Sequence, residues 1–239
     1  MELGGKVGFV TGGSGDIGGA IARGLAKAGV VAVSYVGDAQ RAGTTVDAVK
    51  EIGRRGLAVQ LDQRDSNSVD TSVKEVVAEF GRLDILVNNA GWNIGIPFRD
   101  LNALTVEIWD RVMETNLRGP YLLARAFAPE LRRHKAGRIV NIASLAGIAP
   151  GGSSIAYASS KAGLIHLTHC LAVALAPDVT VMSRPAWSKE HAWLSEYPRT
   201  QSAKPECRQS LEERQASKTS PSKFWRFVEP KPLPVKSSL

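Results

Sequence analysis

Between residues 7 and 181, short continuous apolar runs alternate with stretches of helical spacing, and this alternation constrains the fold more than any other feature of the chain. Residues 7–10 (Val-Gly-Phe-Val) are an apolar run bounded by glycines, and residues 17–26 set Ile17, Ile21 and Leu25 on one helical face. Strand-like runs at 30–33, 57–61, 85–87, 138–143 and 179–181 then interleave with helical stretches at 42–52, 69–80, 106 to about 131, and 158–175. Strands that are apolar throughout, rather than at every second residue, are buried on both faces. Repeated strand–helix units of this kind predict an α/β fold, a doubly wound parallel sheet of Rossmann type covered by helices on both sides.

Composition excludes several alternatives. With 44% hydrophobic and 22% charged residues in 239, the chain is neither disordered nor collagen-like and is long enough for a sizeable core. No apolar run approaches the roughly 20 residues that span a bilayer, so no membrane partnership is expected. The N-terminus enters the first strand without a secretory pattern, and two cysteines, Cys170 and Cys207, suggest no disulfide framework; a cytoplasmic protein is expected. Cys170, inside an apolar helical stretch, reads as a buried small hydrophobe. His134, His166 and His169 lack the Cys or carboxylate spacing of a metal site, so no metal is expected. The net charge of +7 does not indicate nucleic acid, because residues 1–181 are nearly neutral and most of the excess follows them.

Four local patterns carry chemistry. The turn Thr11-Gly12-Gly13-Ser14-Gly15-Asp16-Ile17-Gly18 lies between the first strand and the first helix, where backbone amides can approach a pyrophosphate at a helix N-terminus. Asn88-Asn89-Ala90-Gly91 directly follows the run 85–87 and reads either as a cleft-forming turn or as an ordinary Asn-Gly-type turn. Tyr157 and Lys161, at i and i+4, project from one helix face, and Ser144 lies 13 residues before Tyr157 at the end of a strand. A tyrosine is a poor acid or base at neutral pH unless a neighbouring ammonium stabilises its phenolate, and a serine hydroxyl can bond a substrate oxygen whose charge changes. A helical Tyr/Lys pair on a solvated face is the plain alternative. Asn116 sits mid-helix against its propensity, and Asp62 ends a strand at the sheet's ligand edge, where a helix N-cap is the other reading. Trp92 and Trp109 either line a substrate mouth or pack.

In order and spacing these motifs resemble the short-chain dehydrogenase/reductase family over residues 3–181, and look most like its 3-oxoacyl-carrier-protein reductases. One departure is Asp16, which stands where the family's turn has its middle glycine. The resemblance implies NADP or NAD, reversible hydride transfer between a carbonyl and a secondary alcohol, a small carbonyl or acyl-thioester substrate of 3-oxoacyl type, and a homotetramer. It implies that Tyr157 is the acid/base, that Lys161 lowers its pKa and holds the nicotinamide ribose, that Ser144 orients the carbonyl, and that Asn116 holds a water linking the lysine to solvent. It also places Gly12, Ser14, Gly15, Ile17, Gly18, Asp62 (at adenine), Asn88, Asn89 and Gly91 around the cofactor. The second strand's end, Val33-Ser34-Tyr35-Val36, has no acid for ribose hydroxyls, which leans towards NADP; Gly15 takes the place of the basic residue that often holds the 2′-phosphate, and Arg41 is its candidate substitute.

After residue 181 the composition breaks: residues 182–239 hold no glycine, isoleucine or aspartate, but seven of 12 prolines and three of five tryptophans. The family's Pro-Gly pair and threonine-bearing loop are missing, yet permitted codons for residues 183–193, read from the third base, encode Ala-Pro-Gly-Leu-Val-Glu-Gly-Thr-Arg-Met. The expected division is therefore a catalytic domain at 1–181 and a tail at 182–239 out of the family's reading frame. That tail is expected to be largely irregular, without substrate lid or seventh strand, and to weaken the tetramer. The second functional reading is accordingly a nucleotide-binding chain with impaired turnover.

Overall fold

The protein is represented by a computed structural model that describes residues 4–185. In chain order the elements are β1 (Val7–Val10), α1 (Asp16–Ala26), β2 (Val30–Tyr35), α2 (Ala39–Glu51), β3 (Gly56–Gln60), α3 (Ser66–Phe80), β4 (Ile85–Asn88), α4 (Val106–Met113), α5 (Gly119–Arg132), β5 (Gly137–Ala143), α6 (Ile155–Leu175) and β6 (Val179–Pro185). A π-helical turn, Glu114–Arg118, joins α4 to α5, and a 3₁₀ turn, Leu145–Gly147, follows β5.

All strand pairings are parallel, in the order β3-β2-β1-β4-β5-β6. Strand order reverses between β1 and β4, which opens a crevice at their C-terminal ends. Alternate residues of a strand face opposite sides of the sheet, and two cores follow. Val31 and Val33 of β2 pack with Ala22, Leu25, Val46 and Val49 of α1 and α2. Ala32 joins Phe9, Val76, Leu123, Phe127 and Leu175 on the other face, beneath α3, α5 and α6. Phe9 and Phe127 are both fully buried with ring centroids 5.3 Å apart, so truncating either to alanine would cost about 3–5 kcal/mol.

The doubly wound Rossmann-type sheet expected from the strand–helix alternation is the one observed. Helix α1 buries Gly18, Gly19, Ala22, Leu25 and Ala26, because small residues let the helix lie close to the sheet, while Ile17 and Ile21 are half-buried. Three local expectations are corrected. The long helix from 106 is interrupted by the π turn. Strand β6 runs in register with β5 to Pro185, four residues past the compositional break at 181. Cys170 is exposed, since α6 buries the face carrying Leu164, Thr168, Leu171 and Leu175 and turns position 170 outward. Among the described residues no helix is long and apolar enough to cross a membrane. The expectations for an irregular tail, a missing lid and a missing seventh strand fall on residues 186–239, outside the described residues.

Candidate active site

The β1–α1 turn is held from three directions. Gly12 N–H donates to Ser34 Oγ (3.1 Å) and Gly13 N–H to Ser34 O (3.0 Å), tying the turn to β2. Asn89 Nδ2 donates to Thr11 O (2.9 Å), while Thr11 Oγ1 accepts from Asn89 N–H (3.0 Å) and Ala90 N–H (2.9 Å), tying it to the segment after β4. Gly12 turns at φ +65°, and a Cβ on Gly18 would lie 2.2 Å from Gly12 O, so the helix start can close on the turn only with glycine there. The first helical hydrogen bond of α1 is Gly19 N–H to Gly15 O, which leaves the amides of Asp16, Ile17 and Gly18 ahead of it, at the end of the helix where an anion is favoured. Ser14 and Gly15 lie half-buried on the same turn. Asp16 is exposed and points to Arg41, with Nη2 3.0 Å from Oδ1, so the extra carboxylate is neutralised by a guanidinium.

Asp62 lies just beyond β3. Its carboxylate is held by Arg64 through Nη2 at 2.6 Å and Nε at 3.0 Å, and this pairing holds its pKa below the usual carboxylate range. The N-cap of α3 is Asp65, which accepts from Asn67 N–H and Ser68 N–H, so the capping alternative does not apply to Asp62.

Ser144, Tyr157 and Lys161 meet at the C-terminal end of β5. Ser154 caps α6 by accepting from Tyr157 N–H (3.2 Å), which starts the helix at 155 and orients its first turn. The Ser144 hydroxyl, which accepts from Ala146 N–H (3.2 Å), lies close enough to the Tyr157 phenol to favour its charged form. Lys161, 5% exposed, donates from Nζ to Ile142 O (2.8 Å), and that nitrogen lies 5.7 Å from the Tyr157 ring centroid. Burial pushes the Lys161 ammonium down to about 8. Burial also raises the Tyr157 pKa above 10.0, opposed by the Ser144 hydroxyl. Desolvation is the larger influence on the phenol here, and the Lys161 ammonium is bonded to the β5 backbone. A phenol protonated at neutral pH is an acid ready to give its proton to a developing alkoxide.

Asn116 is fully buried in the π turn. Its Oδ1 accepts from Trp92 N–H (2.8 Å), and its Nδ2 donates to Trp92 O (3.0 Å) and to Ser160 Oγ (3.1 Å). A Cβ on the exposed Gly91 would stand 3.2 Å from Asn116 Oδ1 and 3.8 Å from Lys161 Nζ, so the bare glycine keeps the cleft open in front of both. This opening, and the glycine turn beyond it, fit a dinucleotide lying across the sheet's crevice. Asn88 does not face the cleft directly; its Nδ2 donates to Asn141 Oδ1 (2.8 Å) in a buried network continued by Thr168. Trp92 stacks under the Arg111 guanidinium, 4.2 Å from its centroid.

Four residues at the site escaped the sequence reading. Thr11 and Ser34 were visible as polar residues beside or within apolar strands, and Ser160, which donates to Tyr157 O (2.7 Å), as a polar residue between Tyr157 and Lys161. Gln63, which donates to Ala90 O (3.2 Å) and Thr115 O (2.7 Å), carried no signal.

Sequence and fold both recur in known proteins. Residues 6–184 match the family described as short chain dehydrogenase. A 3-oxoacyl-[acyl-carrier-protein] reductase, FabG, of Staphylococcus aureus is 38% identical over 174 residues, covering 72% of this chain and 69% of that protein. Among solved structures, a short-chain dehydrogenase from Burkholderia cenocepacia in complex with NADP superposes with a TM-score of 0.71 at 38% identity, over 77% of this chain and 74% of the other. An NAD+-bound xylitol dehydrogenase gives 0.72 at 30% identity, over 77% and 70%. Sequence and fold thus agree, and the chain belongs to the short-chain dehydrogenase/reductase family of oxidoreductases.

Proposed function

We propose that this oxidoreductase reduces the ketone of a 3-oxoacyl thioester to a secondary alcohol, with NADPH preferred over NADH. The observation that carries the reading is the Ser144–Tyr157–Lys161 cluster at the mouth opened by Gly91, with Asn116 behind it. The nicotinamide, when bound, supplies the hydride in one direction and accepts it in the other. Ser144 Oγ, at the phenol, bonds the carbonyl oxygen, and Tyr157 Oη gives that oxygen its proton as charge develops on it. Lys161 is placed to hold a ribose hydroxyl and to return a proton towards Tyr157, and Asn116 lies where a water can link the lysine to solvent. The amides of Asp16, Ile17 and Gly18 bind the diphosphate, with Gly12, Ser14 and Gly15 lining the turn, Asn89 and Gly91 the cleft floor, and Asp62 the adenine side.

The preference for NADPH rests on β2. Tyr35 ends that strand without an acid, and the nearest carboxylate, Asp38, is committed to capping α2 by accepting from Arg41 N–H (2.9 Å). The Arg41 guanidinium lies beside the turn, where it can meet a 2′-phosphate. The thioester substrate and a homotetramer in the cytoplasm follow the likeness to the FabG reductases.

Tyr157→Phe is the test. With acetoacetyl thioester and NADPH, turnover should fall at least about a thousandfold, as removal of a general acid implies, while NADPH still quenches tryptophan fluorescence. Undiminished reduction by the variant would overturn the assignment. Binding without turnover in the unsubstituted chain would favour a nucleotide-binding role instead.

A further inference from the structure

The π turn leaves one carbonyl without a helical donor. In the turn Glu114–Arg118, Gly119 N–H is given to Glu114 O, five residues back. Thr115 O would then take the N–H of residue 120, but that residue is Pro120, which has none. The gap is filled from outside the helix by Gln63, whose Nε2 reaches Thr115 O at 2.7 Å. The same amide nitrogen donates to Ala90 O at 3.2 Å, so one NH₂ group joins the π turn to the segment after β4. These are the two segments that Asn116 bridges by its paired hydrogen bonds with Trp92.

Gln63 is an expensive residue for this place unless its amide has a task. It is 4% exposed, and its Oε1 is buried with no hydrogen-bond partner among the described residues, a cost an apolar side chain of equal length would avoid. Only the NH₂ end can donate to two carbonyls, so these partners fix the orientation of the amide. Room for it is made by Gly119, where a Cβ would lie 2.7 Å from Gln63 Cγ. Glutamine, glycine and proline thus form one device: Pro120 withholds a donor, Gly119 vacates the space and Gln63 fills both.

We propose that Gln63 is a positioning residue that holds Asn116 in place by clamping Thr115 O and Ala90 O, so that the carboxamide of Asn116 keeps its aim behind Lys161. The inference rests on the catalytic reading above. It needs no contact between Gln63 and cofactor or substrate.

The test uses Gln63→Met, which keeps length and removes both donors, and Pro120→Ala in the same background, which returns an N–H to the π turn. Amide hydrogen exchange at Trp92, whose N–H donates to Asn116 Oδ1, is read without substrate. Exchange should quicken at least about tenfold in Gln63→Met and recover in the double variant. In assays with NADPH and acetoacetyl thioester, kcat should fall about tenfold with KM for NADPH unchanged, the scale expected when a group is slightly misplaced. The kcat–pH profile should also shift. Adding Pro120→Ala should restore kcat and profile. Unchanged Trp92 exchange overturns the proposal, as does a loss of kcat matched by equally weakened NADPH binding, or a failure of Pro120→Ala to restore both readouts. If the unsubstituted chain reduces no ketone or thioester, the catalytic reading fails by itself, and the exchange measurement still decides whether Gln63 holds Asn116.

Discussion

Lys161 shows at the residue scale how the site trades stability for chemistry. Burial pushes its ammonium from 10.5 to about 8, so the folded chain releases that proton earlier than the unfolded chain does. The cost is therefore present in full below pH 8 and disappears as pH rises towards 10.5; a shift of this size is worth roughly 3 kcal/mol. Lys161→Met should raise stability at pH 7 by about 1–2 kcal/mol, the remainder being lost because Ile142 O keeps no donor. It should also flatten the rise in stability that urea titrations of the unsubstituted protein show between pH 8 and 10. Equal pH slopes in the two proteins would contradict the burial argument. Arg41 gives a second prediction at this scale. Among the described residues its guanidinium is paired with the exposed Asp16 at 3.0 Å, a partner it can exchange for a phosphate. Arg41→Ala should raise KM for NADPH by about tenfold or more, as loss of a charge-assisted hydrogen bond implies, and leave KM for NADH nearly unchanged. Parallel rises for both cofactors would remove Arg41 from the specificity argument.

Among the elements, β1 and β4 lead into the glycine turn and the Asn88–Gly91 segment that face the crevice, and Asp84 fixes where both strands begin. It is 3% exposed and accepts from Val7 N–H (2.9 Å), Arg82 Nη2 (2.7 Å) and Lys6 Nζ (3.2 Å). Burial raises its pKa, but these donors outweigh burial and hold it below the model-compound value of 3.8. Its contribution to stability is thus present above about pH 4 and lost as pH falls through the folded-state pKa. Asp84→Asn should cost about 2–3 kcal/mol at pH 7, a gap that narrows when denaturation is repeated near pH 3. A gap that stays constant with pH would mean that the charge is irrelevant. The strands were legible because parallel strands buried on both faces are apolar throughout, and the turns because glycine and asparagine punctuate them. The π turn was not legible, since its cause is a tertiary one: Asn116 is drawn into the interior by Trp92 and Ser160, and Gln63 supplies the missing donor. The buried face of α6 was equally hidden, because that helix is apolar nearly all round and periodicity could not place Cys170 outside.

For the whole molecule, the question is where the family's chain ends within this one. The family match stops at Arg184 and β6 is paired with β5 through Pro185, a few residues past the compositional break. Among the described residues β6 lies at the edge of the sheet, and an edge strand of seven residues is normally paired, covered or protected by charge. Permitted codons for residues 183–193 can be read in a shifted frame as a Pro-Gly pair and a threonine, the features that the resemblance leads one to expect after this strand. Resequencing the gene across codons 179–182 should therefore reveal a one- or two-base change, and restoring the frame should yield a chain with glycine, isoleucine and aspartate beyond residue 182. The restored protein should elute as a tetramer and reduce the thioester at least about tenfold faster, because the restored frame would encode the lid that the resemblance implies, which excludes water from the site. An intact frame, confirmed by the intact mass of the purified protein, would instead make residues 182–239 a natural extension and remove the expected gain.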